Sequence, residues 1–75
     1  MKIPGKIAPI RVIVVLRSLG YKLAPQQGSH IRLRHPMHTV TFLNQNPLEA
    51  RTLRGIIAEV SRHVFTPAHA IIDQL

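Results

Sequence analysis

The 75-residue chain predicts an α+β fold in which a helix, a three-stranded antiparallel sheet, a second helix and a short C-terminal helix follow in that order. Apolar residues recur at helical spacing up to Leu19, alternate with polar residues from Tyr21 to Leu43, and return to helical spacing after Pro47. A chain of this length supports one core, so we expect a single domain over residues 1–75, with residues 1–8 as a flexible leader.

The first helix is predicted over residues 9–19. Many of these residues are β-branched and also suit a buried strand, so the helix rests on three other signals. Pro9 suits a first helical position, Val12, Leu16 and Leu19 recur at spacings of four and three, and Gly20 follows where a helix ends.

A period of two over residues 21–35 predicts two strands joined by a turn in which Gly28 takes a positive φ. We expect Tyr21 and Leu23 to face inward opposite Leu33 and Ile31. The outward set is then Lys22, Ala24, His30, Arg32 and Arg34.

A second reversal at residues 35–38 leads into a strand over residues 39–43, with Val40 and Phe42 on the core side. The predicted pairs are Arg34 with Thr39 and Arg32 with Thr41. These four residues then share one face, so the open face of the sheet carries basic side chains and threonine hydroxyls.

The C-terminal half predicts two helices. Asn46 as a cap, Pro47 at the first position and Glu49 as a capping-box residue indicate where the longer one begins. Its predicted buried stripe is Leu53, Ile56, Ile57 and Val60, and its solvent-facing cations are Arg51, Arg54 and Arg62. The short helix is expected to begin at residues 66–67 with Thr66 as its cap and to bury Ile71, Ile72 and Leu75.

The charge balance indicates a polyanion or an acidic protein as the partner. Ten Lys and Arg oppose three acidic residues, for a net charge of +7, and seven of the ten are Arg, whose planar group binds phosphate oxygens in pairs. Within this basic chain, Gly28-Ser29-His30 precedes the outward Arg32 and Arg34. An imidazole beside two arginines suits acid–base chemistry on a phosphodiester, and it equally suits plain RNA binding.

These motifs, in this order, resemble the HicA family, the small mRNA-cleaving toxins of HicBA toxin–antitoxin pairs. The residues that carry the resemblance are Leu16, Leu19-Gly20-Tyr21, Gly28-Ser29-His30, Arg34-His35-Pro36, Thr52-Leu53-Arg54 and Ile56-Ile57. The chain departs from the family pattern after the third strand, where Phe42-Leu43-Asn44-Gln45-Asn46 lacks the usual histidine and only Asn44 offers a related hydrogen-bonding group. It also has Arg51 before Thr52, where the family has a lysine and a glycine.

The resemblance implies a fold like the double-stranded-RNA-binding domain, an endoribonuclease activity on mRNA, and neutralisation by a HicB-type antitoxin. It makes His30 the catalytic residue. Beside it we expect Lys22, Arg32 and Arg34 to bind phosphate and Ser29 to orient the substrate. The alternatives are a non-catalytic RNA-binding module with the same surface and a protein-interaction domain whose basic face meets an acidic antitoxin.

Other kinds of site are poorly supported. The chain has no cysteine, which suits a cytoplasmic protein and removes thiolate chemistry. His35 and His38 form a His-x-x-His pair, but no cysteine or nearby carboxylate completes a tetrahedral metal site, so we expect neither metal nor cofactor. The longest apolar run, residues 12–16, is far below the roughly 20 residues that cross a bilayer, so no membrane association is expected.

Overall fold

The computed structural model describes residues 3–75 and has the predicted order of elements. The elements are α1 (Pro9–Ser18), β1 (Lys22–Leu23), β2 (His30–His35), β3 (His38–Leu43), α2 (Ala50–Val64) and α3 (Ala68–Asp73). The strands form one antiparallel sheet in the order β1-β2-β3. The predicted α+β layout is therefore confirmed.

Helix α1 ends as the glycine predicts. Gly20 has φ +99°, a conformation that residues with a Cβ rarely adopt. Its N–H donates to the Arg17 carbonyl at 3.1 Å, and the Tyr21 N–H donates to the Leu16 carbonyl at 3.0 Å. These two bonds make a Schellman motif, which satisfies the last carbonyls of the helix and turns the chain into β1.

Strands β2 and β3 pair in the predicted register. Arg32 lies opposite Thr41 and Arg34 opposite Thr39, so all four residues share the open face. Residues His35 and His38 close the hairpin around a two-residue loop. Gly28, in the preceding turn, has φ +61° as expected.

The predicted register of β1 is wrong by two residues. Leu23 pairs with Leu33 rather than with Ile31, and β1 has only two residues because Pro25 has no N–H to continue the ladder. A shift of two residues leaves every side chain on its predicted face, so Tyr21 is still buried. Leu23 lies at the free edge of the sheet and stays 48% exposed.

The core lies between the inner face of the sheet and the helices. α1 packs beside β1, α2 packs against β3, and α3 packs against α2. No charged or polar residue is buried within residues 3–75. The buried residues are Val12, Val15, Leu16, Tyr21, Ile31, Leu33, Val40, Phe42, Leu48, Leu53, Ile56, Ile57, Val60 and Ile71.

Helix α2 begins later than predicted. Its first residue is Ala50, and Glu49 in extended conformation precedes it without a side-chain capping bond, so the predicted Asn46 cap and Pro47 first position are wrong. The reason is a tertiary contact. The Leu48 side chain is buried and its N–H donates to the Ile7 carbonyl at 2.9 Å, which holds this segment extended.

The stripe predicted for α2 is confirmed, because its four apolar residues are buried and its three arginines are exposed. Helix α3 begins at Ala68, directly after Pro67. Thr66 does not cap it, since its hydroxyl donates to the Val64 carbonyl at 3.4 Å. Ile71 of α3 is buried, and Ile72 and Leu75 are partly buried.

The segment before α1 lies against the core at two points. Ile3 and Ile7 are partly buried and pack against the core. Met1 and Lys2, which belong to the predicted leader, lie outside the described residues. In the described part of the chain, no helix combines the length and apolar character that crossing a bilayer requires.

Candidate active site on the open face of the sheet

The open face of the sheet carries a row of basic side chains. His30, Arg32 and Arg34 alternate along β2, so successive side chains on this face are spaced by roughly 6.6 Å. Lys22 of β1 lies opposite Arg34 and extends the row toward the edge of the sheet. All four side chains are exposed.

The turn before β2 fixes the position of His30. The His30 N–H donates to the Gln27 carbonyl at 3.3 Å, and the side-chain amide of Gln26 donates to the Gly28 carbonyl at 3.1 Å. The Ser29 carbonyl accepts from the Asn44 N–H at 2.7 Å, just beyond the end of β3. The imidazole is therefore exposed on a backbone that is held from both sides.

His30 borders an open depression of about 570 Å³. Its lining is Ala24, Pro25, Gln27, His30, Arg32, Arg34 and Thr41. The structure thus brings His30 together with Arg32 and Arg34. Lys22 lies in a neighbouring depression that it shares with Arg34, and Ser29 lines neither of these two depressions.

The basic row is not neutralised from within the described chain. The three carboxylates of the chain belong to Glu49, Glu59 and Asp73, in the C-terminal part. Among residues 3–75, the Glu59 carboxylate contacts Nε2 of His38 at 3.1 Å, and the arginines of the open face have no carboxylate partner. The open face therefore presents a positive field to solvent, which attracts anions.

A second group of polar side chains, the Tyr21–His38 cluster, lies at the opposite end of β3 from His30. His38 contacts Tyr21 through Nδ1 at 3.1 Å and the Glu59 carboxylate through Nε2 at 3.1 Å. A neutral imidazole with its hydrogen on Nε2 satisfies both, donating to Glu59 and accepting from the Tyr21 hydroxyl. The His63 ring stacks on His38 with centroids 4.1 Å apart, and its Nδ1 donates to the Glu59 carbonyl at 2.8 Å.

The Tyr21–His38 cluster joins the hairpin to α2. Burial, and secondarily the Glu59 charge, raise the pKa of the Tyr21 phenol above its ordinary value, so the hydroxyl stays protonated at neutral pH. This cluster was not predictable from the sequence, because its residues come from three separate parts of the chain: Tyr21 before β1, His38 in β3, and Glu59 with His63 in α2. Only the helical spacing of Glu59 and His63 was visible beforehand.

The structure does not bring the His-x-x-His pair together as ligands. Both ring nitrogens of His38 already have partners, and Nδ1 of His35 accepts the Met37 N–H at 3.1 Å. Across residues 3–75 there is no group of three or more His, Cys, Asp or Glu side chains arranged to hold a metal ion.

Asn44, which takes the place of the histidine expected after β3, contacts the site through its backbone. Asn44 lines a different depression, beside α1 and Pro25, and lines neither of the depressions that border His30. Asn44 therefore steadies the His30 turn and offers no amide group beside the imidazole.

The chain matches the model of a known protein family. The model of the HicA toxin of bacterial toxin–antitoxin systems matches residues 11–61, from the first turn of α1 to near the end of α2. Gly28-Ser29-His30 and the basic row fall within this range. No curated protein and no solved structure matches the chain.

Proposed function

Since the chain belongs to the HicA toxin family of bacterial toxin–antitoxin systems, we propose that this toxin is an endoribonuclease that cleaves mRNA with His30. The observation that carries the proposal is the exposed imidazole in the same depression as two arginines that have no carboxylate partner among residues 3–75. We propose that the toxin meets its substrate in the cytoplasm.

Cleavage of a phosphodiester needs a proton acceptor for the attacking oxygen, a proton donor for the leaving oxygen, and cations for the non-bridging oxygens. An imidazole changes protonation near neutral pH and serves in either proton step, which is worth roughly 10²–10⁴-fold in rate. His30 has the exposure that contact with the scissile phosphate requires. We assign it the proton transfer.

Arg32 supplies a positive charge on the same face, one side-chain spacing along β2 from His30. A guanidinium binds two phosphate oxygens at once and stabilises the charge that develops on them. Arg34 and Lys22 lie opposite one another further along the face and bind the neighbouring phosphates. Ser29, next to His30, is assigned the orientation of the substrate through its hydroxyl.

The reaction is proposed to proceed without a metal ion. In this assignment His30 accepts the proton of the attacking oxygen and then donates a proton to the leaving oxygen, and the arginines stabilise the charge, so no step requires a Lewis acid. The proposed partner in the cell is an acidic antitoxin of the HicB type that covers the open face.

Induced expression tests this function. Wild-type protein should stop growth and deplete full-length mRNA, and His30→Ala should do neither, because the exposed ring contributes little to packing. His69→Ala, an exposed histidine on α3, is the matched control and should act as wild type. Degradation of mRNA by His30→Ala at a near wild-type rate would remove His30 from the catalytic role.

A further inference from the structure

His30 lies between two depressions. Besides the open-face depression, it borders a groove of about 410 Å³ between β3 and α2. The residues that line this groove include Thr41, Arg51, Gly55 and Glu59. His30 and Thr41 belong to both depressions. The imidazole is thus in the middle of a path across the molecule, with Arg32 on one side and Arg51 on the other.

We propose that a bound RNA strand crosses His30 and enters this groove, where Arg51 binds a phosphate on the opposite side of the scissile bond from Arg32. This inference rests on the proposed function and adds a binding residue to it. The sequence placed Arg51 on the solvent side of α2, with RNA contact as the alternative to a solvated helix face. The structure places it in a groove with His30.

The charges along the groove set the direction of the strand. Arg51 is in the first turn of α2, is exposed, and has no carboxylate partner among residues 3–75. Glu59 lies eight residues further along the helix, about 12 Å away, and its carboxylate is held by His38. Phosphate is attracted at the Arg51 end and repelled at the Glu59 end, so the strand leaves His30 toward the start of α2.

Gly55 lines the groove and adds no side chain to it. It lies within α2, where glycine is less favourable than alanine, and a Cβ built there meets no heavy atom within 4 Å. Packing therefore does not require a glycine at this position. A long side chain at position 55 would project into the space beside His30 and Arg51.

Binding of a short RNA in the His30→Ala background, where no cleavage occurs, tests the role of Arg51. Arg51→Gln should weaken binding about tenfold, the effect of one charged phosphate contact, and should lower the salt slope of log K by about 1. Arg54→Gln is the matched control, because Arg54 is exposed on the same helix and does not line the groove. It should change neither quantity, and equal effects of the two substitutions would overturn the proposal.

A second pair of variants tests the space at Gly55. Gly55→Leu should weaken RNA binding as strongly as Arg51→Gln, and Gly55→Ala should bind as wild type. Both should raise the melting temperature, because each residue is a better helix former than glycine. Unchanged RNA binding by a folded Gly55→Leu protein would show that the strand does not use the groove.

The outcomes separate this inference from the proposed function. Failure of the wild type to cleave RNA would refute the ribonuclease function, yet the binding measurements would still report on Arg51. If Arg51→Gln weakens binding of the antitoxin and leaves RNA binding unchanged, the groove belongs to the antitoxin and the RNA path is wrong.

Discussion

Two histidines on neighbouring strands of this toxin have opposite environments. His30 is exposed beside arginines that have no carboxylate partner in the described chain. The His38 side chain is 12% exposed, both of its ring nitrogens are hydrogen bonded, and a second imidazole stacks on it. The exposed His30 ring can contact a substrate and therefore suits proton transfer. The His38 ring, in contrast, has a structural role, because it attaches the hairpin to α2.

The phenol of Tyr21 should ionise above its ordinary pKa of about 10. Since burial favours the neutral form in the folded state, the unfolded chain ionises first, and stability should fall as pH rises past the unfolded pKa. The chain has one tyrosine and no tryptophan, so ultraviolet absorbance of tyrosinate follows this group alone.

Glu59→Gln provides the control for this titration. It should lower the pKa of Tyr21 only in part, because the carboxylate is the smaller cause and burial remains. A native titration at or below the ordinary value would contradict the burial of the Tyr21 ring.

At the scale of elements, Phe65 ends α2 in a conformation that usually belongs to glycine. Its φ is +54° and its ψ is +38°, and its side chain is 88% exposed. A residue with a Cβ is disfavoured there by roughly 1–2 kcal/mol, and an exposed ring recovers little of this through packing.

Phe65→Gly should therefore stabilise the protein. The free energy recovered by relieving the left-handed strain exceeds the entropic cost of a more flexible unfolded chain. The free energy of unfolding should therefore rise by about 0.5–1 kcal/mol, and the melting temperature by a few degrees. Thermal unfolding measures it. Phe65→Ala, which removes the ring and keeps the strain, should stay near wild type, and destabilisation by Phe65→Gly would show that the ring contributes packing.

Which elements form, and which face each one buries, was predictable from the chain. The alternation along β2 and β3 allowed only one set of inward residues, and the Arg32–Thr41 pairing followed from it. The pairing partner of Leu23 was not predictable, because a shift of two residues in the register of β1 against β2 leaves every side chain on the same face of the sheet. The start of α2 was also predicted wrongly from the local capping pattern at Asn46. The hydrogen bond between Leu48 and Ile7 holds this segment extended, and it joins segments about forty residues apart that a local pattern does not relate.

For the site, the sequence predicted that His30, Arg32 and Arg34 share the open face, and the structure brings them together. The position of Arg51 in a groove with His30 depends on how α2 lies along β3. No periodicity within either element contains that information.

At the scale of the molecule, the basic and the acidic residues are distributed unevenly. The open face is basic, and all three acidic residues lie in the C-terminal part of the chain. Under the proposed function, this one face binds both RNA and an acidic antitoxin, and we propose that the two compete for it.

Reversal of charge on this face should impair both partners together. The double substitution of Arg32 and Arg34 by Glu should weaken binding of RNA and of the cognate antitoxin, in each case more at low salt than at high salt. The same reversal at Arg54 and Arg62 on α2 is matched in charge and should affect neither strongly. Filter binding measures the effect on RNA, and co-purification measures the effect on the antitoxin. A shared face would be contradicted by an antitoxin that inhibits the toxin while leaving His30 open to solvent.

The most direct test of the central claim compares cleavage and binding of one RNA by purified wild-type protein and by His30→Ala, both in the presence of a chelator. The wild type should cleave the RNA, and His30→Ala should bind it with unchanged affinity and cleave at least about 100-fold more slowly. Recovery of intact RNA from the wild-type complex would identify a binding module instead of a ribonuclease. Loss of cleavage in chelator that zinc or magnesium restores would contradict proton transfer by His30 without a metal.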